Sequence, residues 1–142
     1  MVGALTNRHE LVSLKRSGVA VLPSEHVIGY AVHDMDNQRI GEIDDLIVDR
    51  DAGRVRFLVL GHGGLAGIGR TRHVIPVDAV NEVVGAGVAP TIFLAFPGAL
   101  LEDAPRGEDM DEASLAHTCR FFGCEPYWTE GYVPRDWSAT PA

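Results

Sequence analysis

The segment "VRFLVLG", residues 55–61, is apolar on both faces of an extended chain. Read at strict period two, Val55, Phe57 and Val59 line one face and Leu58 and Leu60 the other. A strand with two apolar faces must be covered twice. One cover is the interior of a barrel or sandwich. The other must come from elsewhere in the chain or from a second subunit. Just upstream, "IGEIDDLIVD", residues 40–49, is rich in Ile and Val, and "RDAGR" joins the two segments with Gly53 free to take positive φ. The pair therefore predicts a β-hairpin. Alternation breaks inside the first segment, where Ile43 and Leu46 are three apart. A β-bulge near Asp44–Asp45 would bring Ile43, Leu46 and Val48 to one face.

Further strands are expected at "VIGYAVHDM", "HVIPV" and "TIFLAF", with "NEVVGAGVAP" as the connection before the last and Gly85 and Gly87 marking a turn. Residues 1–26 read as a lead-in, in which "ELVSLKRSG" suits a short helix or a short strand equally, and Pro23–Ser24 as a turn. Residues 97–108 read as a connector. "DMDEASLAHTCRFFG" follows as a helix, capped by Asp109 or Asp111, ended by Gly123, with Leu115, Thr118/Cys119 and Phe122 along one face. The tail from Cys124 holds Tyr127, Trp128, Tyr132 and Trp137. Aromatics so concentrated are candidates for the second cover, either packed within one subunit or as anchors of a subunit contact.

The ordered set "IGEIDDLIVD", "GRVRFLVL", "GGLAGIG" and "HVIPVDAV", within residues 27–96, resembles the PRC-barrel family, and "FFGCEPYW…GYVP" is similar to the end of stand-alone members. The resemblance implies a mainly β fold, a small and strongly bent PRC-type barrel of about six strands. A C-terminal helix and aromatic tail complete the expected chain over residues 97–142. It also implies a non-catalytic interaction or assembly module, often self-associating, that shares no catalytic residues across the family. A homodimer and an unidentified protein partner are the expected partners. The residues expected to carry contacts are those needing cover: Phe57, Leu58, Leu60, Tyr127, Trp128 and Trp137.

Charge narrows the alternatives. A formal charge of −8 argues against nucleic acid as the main ligand. Arg54, Arg56, Arg70 and Arg72 are close in sequence, yet read as solvated strand ends and turns rather than as a basic footprint. The N-terminal segment is polar where a signal peptide would be apolar, and no run approaches the ~18 apolar residues of a membrane span, so the cytoplasm is expected. Two cysteines are too few for a disulfide framework.

Three patterns invite chemistry. "GHGGLAGIGR", residues 61–70, follows a strand as a phosphate loop does, but a strand rather than a helix comes next and no Lys-Ser or Lys-Thr follows the glycines. It reads as a wide connection, with Leu65 and Ile68 folded back on apolar surface. Asp34, Asp36, Asp44, Asp45, Asp49 and Asp51 crowd two turns and a strand, but the glycine an EF-hand needs is replaced by Arg39. They read as solvated acids, one of them bonding backbone N–H groups at the bulge. His117, Cys119 and Cys124 lack the paired short spacing of structural zinc. No catalytic, cofactor or metal residues are therefore assigned. The leading alternative is a small-ligand or metal-binding protein using the acidic turns or His62 and His73. The last is an enzyme using Cys119 or Cys124.

Overall fold

A computed structural model describes residues 10–64, 69–85, 89–105 and 110–138. Among the described residues, seven strands make one sheet: β1 (Leu11–Ser13), β2 (Ala31–His33), β3 (Arg39–Asp49), β4 (Arg54–His62), β5 (Thr71–Pro76), β6 (Val80–Val84) and β7 (Thr91–Leu94). Six of them run in the order β5-β4-β3-β2-β7-β6 as a strongly curled half-barrel. All neighbours are antiparallel except β2 and β7. β1 pairs with the far half of β3, continuing the edge that β2 occupies on the near half. The described residues also form two helices, α1 (Leu14–Ser17) and α2 (Glu112–Phe121), and three 3₁₀ turns, at Pro23–Glu25, Val77–Ala79 and Gly98–Asp103. No helix among the described residues is long and apolar enough to cross a membrane.

Two bulges set which side chains enter the barrel. On β3, Ile43 pairs with Leu60 and Asp45 with Val59, which leaves Asp44 as the extra residue. Ile43, Leu46 and Val48 accordingly share the inner core with Leu58 and Leu60. On β4, Ile47 pairs with Phe57 but Val48 with Val55, so Arg56 is extra. This second bulge corrects strict alternation: Val55 turns inward beside Leu58 and Leu60, and does not share a face with Phe57 and Val59. Phe57 and Val59 face outward, in a second core with Leu11, Ile47, Val74, Leu115 and Cys119. The two-faced strand is thus covered twice, by the barrel inside and by α2 with Tyr127 and Trp128 outside.

The local signals resolve physically. "ELVSLKRSG" contains both elements, since Ser13 ends β1 and its hydroxyl accepts from Arg16 N–H to cap α1, while Gly18 at φ 66° closes it. Gly53 turns the β3–β4 hairpin at φ 64°. Asp111 caps α2, accepting from Ser114 N–H at 2.8 Å. Asp109, Gly87, Leu65 and Ile68 lie outside the described residues. The segment "VIGYAVHDM" is strand only at Ala31–His33, because Gly29 at φ 88° turns the chain before it. Conversely, "NEVVGAGVAP" is not a plain connection: Val80–Val84 is β6, which pairs with β7. The lead-in joins the sheet through β1, and the connector holds the 3₁₀ turn Gly98–Asp103.

Candidate functional site

Strand β4 runs directly into the glycine-rich stretch, ending at His62, and β5 begins again at Thr71. Gly63, Gly64 and Gly69 all take positive φ, between 71° and 77°. These three glycines take backbone conformations that other residues rarely adopt, and the next described element is a strand.

The base of that connection is clamped by the bulge. Asp44 accepts from Arg70 Nε at 2.7 Å and from a terminal guanidinium nitrogen at 2.8 Å, a bidentate pair, and from Arg72 Nε at 3.1 Å. A terminal nitrogen of Arg70 also reaches Glu42 at 2.9 Å. Gly61 makes this arrangement possible: a Cβ there would overlap the Asp44 carboxylate and sit 2.5 Å from Arg70 Nε. The Arg70 hydrogen bond outweighs the cost of partial burial and holds the Asp44 carboxyl below its ordinary range. In return, Asp44 raises the Arg70 guanidinium.

The other charges are also occupied. Arg54 pairs with buried Glu25 at 2.9 Å, and Arg56 with buried Asp49 at 3.3 Å. All four arginines of the suspected basic stretch are thus paired with acids. Three of the acids, Asp34, Asp45 and Asp49, accept from backbone N–H groups. Asp34 accepts from Gln38 N–H, Gly98 N–H and Asp36 N–H, and these bonds lower its pKa against the opposing effect of burial. Asp45 is the acid that bonds backbone N–H groups at the bulge, taking Leu46 at 2.8 Å and Lys15 at 3.1 Å, and its carboxylate also accepts from Ser13. Asp49 accepts from Ala52 N–H in the hairpin turn.

His62 and His73, 11 positions apart, come together, with their Nε2 atoms 3.3 Å apart. In the β4–β5 register His62 faces Thr71 and His73 faces Leu60, so the two imidazoles are diagonal neighbours on the face that carries Leu60 inward. Their rings lie within 4° of parallel, with centroids 5.4 Å apart. They open on a cavity of about 370 Å³ that Glu102 and Thr71 also line. By contrast, His117 is exposed on α2 while Cys119 is buried on the same helix. Burial pushes the Cys119 thiol up to about 12 and that of Cys124 up to about 11, so both are protonated at neutral pH.

The tail winds back over the barrel. Tyr132 donates to Asp78 at 2.8 Å, and Arg135 donates to the backbone carbonyls of Asp78 and Val80 at 2.7 and 2.8 Å. Burial, followed by the Asp78 hydrogen bond, raises the Tyr132 hydroxyl. Asp78 lies in the 3₁₀ turn joining β5 to β6, the two ends of the curled sheet path, so the tail fastens that seam. Trp137, 3 % exposed, then enters the inner core. Of the residues expected to carry contacts, Phe57, Leu58, Leu60 and Trp137 are buried by the chain itself. Tyr127 and Trp128 remain half-buried over the outer core, edge to face at 5.2 Å. The pairing of Asp44 with Arg70 and Arg72, and of Tyr132 with Asp78, was not legible in the sequence, because long-range side-chain pairs leave no periodic signal.

Comparison with known proteins agrees with this architecture. Residues 23–91 match the family model described as PRC-barrel domain. No curated protein matches the chain. The curled sheet, its bulged β3–β4 hairpin and the glycine-rich crossing into β5 are therefore the body of a PRC-barrel domain, which this chain carries over residues 23–91.

Proposed function

We propose that this chain is a non-catalytic interaction and assembly module that self-associates as a homodimer in the cytoplasm, with Trp128 and Tyr127 at the contact. The observation that carries this reading is the half-buried aromatic pair over the outer core. Tyr127 and Trp128 help cover Phe57 yet are themselves only half-buried. Trp and Tyr in this position are the side chains that most often anchor protein contacts. Val133, 78 % exposed, follows five residues after Trp128 and extends the apolar character of the tail.

Charge supports a copy of the chain as partner only through such a patch. Two chains of charge −8 repel, so contact is favoured where charge is low. The arginines that might attract a polyanion are already paired with acids, and both thiols are held protonated, so neither supports nucleic-acid binding or cysteine catalysis. The test mixes two populations of the chain labelled with donor and acceptor dyes. Energy transfer is expected in the wild type and is expected to vanish in folded Trp128→Arg. Transfer that persists unchanged in that variant rejects Trp128 as the contact, and its absence in the wild type rejects self-association.

A further inference from the structure

We propose that His62 and His73 form a binding site for a divalent late first-row transition ion, a site separate from the aromatic contact. A zinc ion bonds imidazole nitrogen at about 2.0–2.1 Å, so two such ligands at the tetrahedral angle are separated by about 3.3 Å. The Nε2 atoms of His62 and His73 are 3.3 Å apart. The spacing that serves an imidazole–imidazole hydrogen bond is thus also the bite of one metal ion.

The placement favours the ion. Both histidines stand on hydrogen-bonded strands, as a diagonal cross-strand pair, so their Cα positions are fixed before any ligand arrives. His73 is buried and His62 only half-buried, which leaves one imidazole rigid and the other free to adjust its ring. The pair faces a cavity of about 370 Å³, room for the ion and the waters that complete its shell. Glu102 lines that cavity and adds negative charge to it. Among the described residues no third His, Cys, Asp or Glu is grouped with the pair, so the described residues supply two ligands and water fills the other positions of a two-imidazole site. Imidazole pairs suit Cu²⁺, Ni²⁺ and Zn²⁺, with Cu²⁺ held most tightly.

The experiment titrates the metal-free full chain with Zn²⁺ by calorimetry and with Cu²⁺ by electron paramagnetic resonance. One ion per chain is expected, with nitrogen hyperfine structure from two imidazoles in the copper spectrum. Losing a ligand costs at least as much as losing an outer-shell partner, so His62→Gln is expected to weaken binding by about 10–100-fold. His33→Gln, on β2, is the control and is expected to bind as the wild type does. His73→Gln tests the buried ligand. If it does not fold, the nitrogen count in the wild-type spectrum decides. Unchanged affinity in His62→Gln, a copper spectrum with fewer than two imidazole nitrogens, or no saturable binding of either ion overturns the site.

Discussion

The guanidinium of Arg56 lies 4.5 Å above the ring centroid of Tyr127, while one of its terminal nitrogens reaches the buried carboxylate of Asp49 at 3.3 Å. One side chain, extruded at the β4 bulge, thereby joins the barrel wall to the aromatic tail. Replacing Arg56 with Ala leaves the Asp49 carboxylate with its Ala52 N–H bond but no counter-charge. A loss of about 3 kcal/mol is expected in urea unfolding, and Arg56→Lys should recover only part of it, because ammonium lacks the planar stack. A loss indistinguishable from zero would separate the tail from the wall.

Trp137 closes the inner core from the far end of the described chain. Trp137→Ala should cost about 3–5 kcal/mol, by loss of buried area and the cavity left behind. Because the tail also fastens the β5–β6 seam through Tyr132 and Asp78, Tyr132→Phe should add a smaller loss of about 1 kcal/mol. Equilibrium unfolding of the two variants measures both, and a negligible effect of Trp137→Ala contradicts its role as a plug.

Gly61 and Asp44 should be coupled. Gly61→Ala drives a methyl into the Asp44–Arg70 pair and is expected to cost about 1–3 kcal/mol. In an Asp44→Ala background the obstructing carboxylate is gone, so the same change should cost less. A double-mutant cycle reads the difference, and strict additivity would contradict the coupling of Gly61 to Asp44.

Acid should loosen the same clamp. Asp44 has a folded-state pKa lowered chiefly by its Arg70 hydrogen bond, and Asp34 one lowered by backbone N–H groups. A depressed carboxylate stabilises the fold above its unfolded value of about 3.9, and that contribution disappears as pH falls through the lower folded value. Wild type should therefore lose its advantage over Asp44→Asn as pH drops below about 4, the two unfolding free energies converging. A gap that stays constant into acid would mean that the ionised form of Asp44 is not what matters.

These relationships show what a one-dimensional reading can reach. The Asp44 bulge was legible because Ile43 and Leu46 are three positions apart, a visible break in period two. The Arg56 bulge was not, because the run from Phe57 to Leu60 is apolar on both faces, so no change of face shows where the extra residue falls. β6 was hidden by the glycines that follow it, which made its Val-rich start look like part of a turn. The need for a second cover over Phe57 could be read from apolarity alone, and the cover proved to be α2, Tyr127 and Trp128. The meeting of His62 and His73 depends on the register of β4 against β5 across a long connection, and residue types at that separation do not encode register.

Self-association through the tail is the central claim, and the mass of the chain in solution tests it most directly. Sedimentation equilibrium of the full chain over a range of concentrations should give twice the 15.3 kDa chain mass at the upper end, with dissociation on dilution. A mass fixed at that of one chain at every concentration would contradict it.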